Sequence, residues 1–200
     1  MPEPQPNDLG AAAHAGRPSL LEPPGGILMW IIVALELLTF SIIFVFVASF
    51  RAADAEAFRA GQAFLDPRLG VAQTLALLTS GWLVAEAVHA YRRARIPRAR
   101  GFYAGGIAAS LVFVALKIVD YSSKAEAGLS LDSDFGAAYF LATGFHFAHV
   151  LVGVLMLTHA ATRIGRKPFE DEELAVAGTA LFWHMCDIAW FFLFPLLYAG

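Results

Sequence analysis

The chain has 200 residues, of which 58% are hydrophobic and only 16% charged, far more apolar than an ordinary soluble domain. A formal net charge of −3, with no basic strip interleaved with aromatics, argues against nucleic acid as a partner. The single cysteine, Cys186, leaves neither a disulfide framework nor a thiolate metal site.

Residues 1–26, MPEPQPNDLGAAAHAGRPSLLEPPGG, lack a basic start followed by an apolar core. They read as a flexible Pro/Gly-rich tail, not a cleaved signal. Five apolar runs follow, at about 27–50, 69–91, 102–121, 136–161 and 174–198. Each is long enough to cross a bilayer as a helix. None shows the polar face that a helix of a soluble bundle needs. The fold class is therefore all-α, a polytopic membrane bundle of five transmembrane helices in one domain, 27–200. There is no Gly-rich phosphate loop, no Cys-x-x-Cys-His for covalent haem and no nucleophile elbow. No chemistry is expected in this chain alone.

Loop charges suggest an orientation. Loop 92–101 carries five arginines, and loop 162–173 carries Arg163, Arg166 and Lys167. With Arg17 these make nine basic residues on one side, against Arg51, Arg59, Arg68 and Lys124 on the other. The positive-inside rule then predicts a cytoplasmic N-terminus and, with five spans, a periplasmic C-terminus in a bacterial plasma membrane.

Ionisable groups inside the spans are costly, roughly 2.5–3.5 kcal/mol each on insertion scales, so they are expected to face protein. In the last span, FWHMCDIAWFFLFPLLY, His184 and Asp187 are three residues apart on one face. In the fourth, GFHFAHVLVG, His146 and His149 repeat the spacing. The first span adds Glu36. At about 1.5 Å per residue these five groups fall in one layer roughly 10 Å thick. Small residues accompany them: Ala138, Ala142, Gly153 and Ala160 on the fourth span, Ala177 and Ala180 on the fifth. Close packing of these two faces is expected. The layer reads in three ways: a structural network, a site for lipid head groups or protons, or a metal site loosely like di-metal bundles. Glu86, Lys117 and Asp120 are secondary candidates. Lys117 and Asp120, three apart near one end of the third span, are expected to pair or to snorkel.

Three stretches together carry a family resemblance. LMWIIVALELLTF (28–40) resembles a helix with a buried glutamate after an aromatic-rich start. GFHFAHVLVG (144–153) resembles a Gly-Phe-His-x-x-His-Val-x-x-Gly pattern, and FWHMCDIAWFFLF (182–194) an aromatic-Trp-His-x-x-Asp-x-x-Trp-x-x-Leu-Phe pattern. In this order they resemble the cytochrome c oxidase subunit III family of the haem–copper oxidases, in its short five-helix form. The segment LDPRLGVAQTLALLTSGWLVA and the ending LFPLLY are most similar to the branch associated with nitric oxide reductase.

The resemblance implies a non-catalytic subunit of a respiratory oxidase or nitric oxide reductase complex. It implies no haem or metal in this chain, with haem and copper or iron in the catalytic partner subunit. It further implies bound phospholipid, and support of proton uptake and of turnover stability. By motif, Glu36 takes the place of the family's buried glutamate. His146, His149, His184 and Asp187 take the places of its intramembrane polar residues. The alternative is a free-standing transporter or ion-binding protein that uses the same layer.

Overall fold

The computed structural model describes residues 23–166 and 172–199. The expected tail, apart from its last four residues, and Lys167 lie outside the described residues. Six helices and no strand form among the described residues: α1 Gly26–Ala53, α2 Ala55–Gln62, α3 Pro67–Arg92, α4 Ile96–Glu126, α5 Asp134–Arg163 and α6 Glu172–Tyr198. All but α2 are long and apolar enough to cross a membrane. The chain is a multi-span membrane protein.

Local chemistry sets the helix starts. A Pro23-Pro24-Gly25 turn, with Gly25 at φ 85°, leads into α1. Asp66 caps α3, accepting a hydrogen bond from the Arg68 amide at 2.9 Å, and Pro67 occupies the first turn, where its missing N–H costs nothing. Ser133 caps α5 through the Gly136 amide at 3.1 Å. Gly128 and Gly165, both at positive φ, follow the ends of α4 and α5.

The spans run longer than their apolar runs. The arginine stretch 92–101 is a loop only at 93–95; Arg98 and Arg100 already belong to α4. Polar first turns hide a helix start from a hydropathy reading, and Pro97 in the first turn does not break it. The segment between the first two spans is not simply a loop. It holds α2, capped by Asp54 on the Ala57 amide at 2.9 Å. Its Phe58 is buried against Phe50 and Phe135, with Arg51 over its ring. Tyr103 is fully buried within α4. Lys124 is not a loop charge either; it is buried in the last turn of α4.

The most enclosed span is α6. It packs against α1, α3 and α5, while α4 joins α3 to α5. Trp183 and Trp190 are fully buried, and the Trp190 indole donates to Thr74 Oγ1 of α3 at 2.9 Å. The far end of α6 is held by Gln62, which donates to the Leu197 carbonyl at 2.8 Å, and by Arg51, which donates to the Ala199 carbonyl at 2.8 Å. Ser80 of α3 donates to the Gly106 carbonyl of α4 at 2.7 Å. By contrast α1 turns Leu28, Ile42 and Val45 outward.

The α5–α6 seam depends on one missing side chain. A β-carbon at Gly153 would lie 2.7 Å from Trp183 Cε3, whereas one at Gly144 would meet open space. Gly153→Leu should therefore lower thermal stability in detergent, by about 1–3 kcal/mol for overpacking, and Gly144→Leu should leave it nearly unchanged. Equal melting curves for the two variants would show that the seam does not need the glycine.

Candidate functional site

The structure sorts the five polar residues of the expected layer into three separate contacts. Phe40 of α1 lies between two of them, its ring 5.4 Å from His149 and 6.2 Å from His146.

The first contact joins α1 to α5. His149 Nδ1–H donates to the Phe145 carbonyl at 2.8 Å, since a carbonyl can only accept. His149 Nε2 faces Glu36 Oε2 at 3.0 Å. With Nδ1 already protonated, that contact requires one further proton between imidazole and carboxyl. Glu36 and His149 thus form one hydrogen-bonded pair between α1 and α5, with side chains 29% and 15% exposed.

The second joins α5 to α6. His146, fully buried, donates from Nε2 to the Cys186 carbonyl at 3.1 Å. Its Nδ1 then carries a lone pair that meets no hydrogen-bond donor among the described residues. Rings of Phe40, Phe113 and Trp190 surround it.

The third lies on α6 alone: His184 Nδ1 to Asp187 Oδ2 at 3.1 Å. A β-carbon at Gly81 of α3 would overlap the Asp187 carboxylate. The small residues beside this pair, expected to face the fourth span, in fact turn elsewhere. Ala180 and His184 line a cleft with Ala85 and Val88 of α3, and Gly25 packs on the backbone at Ala177. The α5 stripe does meet α6, through the bulky Trp183. Size complementarity, glycine against tryptophan, replaces small against small.

The secondary candidates divide. Glu86 stays apart, at the opening of a surface pocket with His89. Lys117 and Asp120 form a fully buried polar group. Lys117 Nζ donates to Asp120 Oδ2 at 3.0 Å and to the Tyr139 hydroxyl at 2.9 Å. Tyr139 donates to Asp120 Oδ2 at 2.6 Å, and Lys124 pairs with Asp120 Oδ1. Rings of Tyr121, Tyr139 and Trp190 stand about Lys117 at 4.8–5.2 Å, close enough for cation–π attraction. Lys124 and Tyr139 escaped the sequence reading. The spacing Lys117, Asp120, Lys124 places all three on one helix face and was the available signal. Ending the span at Tyr121 concealed it.

Among the described residues no group of three His, Cys, Asp or Glu could hold a metal ion.

Comparison with known proteins decides the family. The model of the family described as cytochrome c oxidase subunit III matches residues 25–199. The chain belongs to the cytochrome c oxidase subunit III family. The protein named cytochrome c oxidase subunit 3 of Triticum aestivum is 34% identical over 141 residues, 69% of this chain and 52% of the wheat protein. That of Arabidopsis thaliana is 34% identical over 137 residues, 67% and 51%. The probable cytochrome c oxidase subunit 3 of Mycobacterium bovis is 29% identical over 175 residues, 86% and 85%. The chain spans about half the length of the plant relatives it matches. The nitric oxide reductase branch gains no support from these relatives.

Among the described residues Asp120 is the one anion paired with both Lys117 and Lys124. Asp120→Asn leaves both cations buried without counter-charge and should cost about 3–5 kcal/mol. Lys117→Met removes the surplus cation and leaves the Lys124–Asp120 pair, so it should be the milder change. Chemical unfolding in detergent ranks the two; a milder Asp120→Asn would refute the charge assignment.

Proposed function

We propose that the chain is a non-catalytic, membrane-embedded subunit of a respiratory haem–copper oxidase, packed against a catalytic subunit that carries the haem. The observation that carries this reading is the subunit III match over residues 25–199. The outward apolar face of α1 supplies surface for a partner helix or for lipid. A cleft of about 980 Å³ between α1, α5 and α6, lined by Met29, Ile32, Leu155 and Leu174 among others, has the size and apolar wall for acyl chains. Phospholipid is the proposed occupant.

The basic residues favour a cytoplasmic N-terminus and a periplasmic C-terminus in a bacterial plasma membrane. The pairing of Lys124 with Asp120 strengthens this asymmetry, because it removes one basic residue from the poorer side. The Glu36–His149 pair is the proposed proton-holding group that supports proton uptake by the partner. His146, bonded to the Cys186 carbonyl, and Asp187, bonded to His184 and packed on Gly81 of α3, keep the helices around it in register.

The test is purification of the tagged chain from its own membranes in mild detergent, with mass spectrometry and a visible spectrum. A stoichiometric haem-bearing subunit is expected, and its identity separates oxygen reduction from nitric oxide reduction. A lone, colourless chain would overturn the assignment. In the same complex Glu36→Gln keeps a donor toward His149 but removes the ionisable carboxyl. Assembly should be unchanged and turnover altered; failed assembly would make Glu36 a structural residue.

A further inference from the structure

Outward hydroxyls on the long helices satisfy themselves. Thr39, Ser41, Ser49, Thr79, Ser122 and Thr158 each donate to the carbonyl four residues back in the same helix, at 2.7–3.0 Å. Two other outward polar groups do not. The Trp82 indole of α3 belongs to a residue 61% exposed, and its N–H meets no acceptor among the described residues. The His184 side chain of α6 is 40% exposed; its Nδ1 faces Asp187, and its Nε2 meets no partner among the described residues. Hydrocarbon offers neither atom a hydrogen bond, so a partner for them has to be protein.

The two groups sit at one depth on neighbouring helices. Arg92 of α3 bonds Glu173 of α6 at 2.8 Å, which sets those helix ends level. Trp82 is ten residues before Arg92 and His184 eleven after Glu173. At helical rise both lie about 15–17 Å from that ion pair, within one turn of each other. Gly81, next to Trp82, lies under the Asp187 carboxylate, so α3 and α6 also touch at this level. An indole N–H only donates, and a histidine that donates from Nδ1 to Asp187 accepts at Nε2. One surface thus carries a donor and an acceptor that fits it. The shapes match in the same sense. Trp82 projects, while His184 lies in a cleft of about 270 Å³ walled by Trp30, Val88 and the small residues Ala85, Ala177 and Ala180.

We propose that this α3–α6 face is an interface between two copies of the chain. Two copies in one membrane share an orientation, so a two-fold axis between them runs along the bilayer normal and brings residues of equal depth face to face. Trp82 of each copy enters the cleft of the other and donates to its His184 Nε2, which makes two equivalent bonds. The small residues of the cleft permit close approach of the helices. Leu78 and Ile188, exposed on the same two helices, add apolar contact. A different chain seated here would have to bring both a donor for His184 and an acceptor for Trp82; a second copy already has both. The interface does not depend on the oxidase assignment, since it uses only groups of this chain.

The experiment uses the full chain, fluorescently tagged, in liposomes over a range of protein densities. Association is read by energy transfer between donor-tagged and acceptor-tagged copies. Wild type should associate. Trp82→Phe keeps an aromatic ring but loses the N–H, and should weaken association about sevenfold, equivalent to about 1.2 kcal/mol for the two bonds. His184→Leu should weaken it at least as much. Leu111→Ala, on the outward side of α4, should leave it unchanged. The deciding measurement mixes the two weakened variants. A pair of one Trp82→Phe copy and one His184→Leu copy regains a single Trp82–His184 bond that neither variant makes with itself. Mixed pairs should therefore exceed the statistical expectation about threefold, a preference that local damage to the fold would not produce. A wild-type chain that stays monomeric at every density, or random mixing of the two variants, would overturn the proposal. So would a photoreactive side chain in place of Leu78 that links, in native membranes, to a haem-bearing subunit and not to a second copy.

Discussion

In hydrocarbon a polar group has no partner except another part of the protein. That constraint organises this bundle around α6. Its indole at Trp190 bonds α3, its Cys186 carbonyl receives His146 of α5, and its last carbonyls receive Gln62 and the Arg51 guanidinium. Each bond ties a different element to the same helix. In lipid the usual drive to bury apolar surface between helices is absent, so such bonds and close packing must substitute for it. Gly153 against Trp183 shows the packing half of the arrangement. The outer helix α1, with few buried residues, is left free to present its apolar side chains outward.

Much of this was legible in the chain. Five apolar runs became five spans because bilayer thickness leaves few other options for such lengths. Glu36, His146, His149, His184 and Asp187 were legible as intramembrane polar groups because depth follows directly from helical rise. Their pairing was not. Which side chain His149 meets depends on rotation of α1 against α5, and no linear spacing encodes that angle. The small residues beside His184 carried a similar ambiguity, and they turned toward α3 instead of α5. Helix α2 was missed because eight residues with a charged face give a weak apolar signal. Lys124 was missed for a related reason. A charged residue after an apolar run looks like its end, unless the partner one turn earlier is counted with it.

The polar groups of the interior sort by access along the bundle axis. At the α3–α4 turn Arg93, Arg95 and Arg98 stand exposed around a concave surface. At mid-depth Glu36 and His184 are partly open, with side chains 29% and 40% exposed. Toward the far end Lys117, Asp120 and Lys124 are closed, at 2% exposure or less. A group that exchanges a ligand or a proton must touch something outside the helix bundle. The first two levels meet that requirement, and the third does not. The Lys117–Asp120–Lys124 cluster is closely bonded, and through Tyr139 it joins α4 to α5. Strength of interaction and fitness for exchange are opposed here, because the enclosure that strengthens an ion pair also removes its route to the surroundings. The weaker, half-open Glu36–His149 pair is for that reason the better place to look for function.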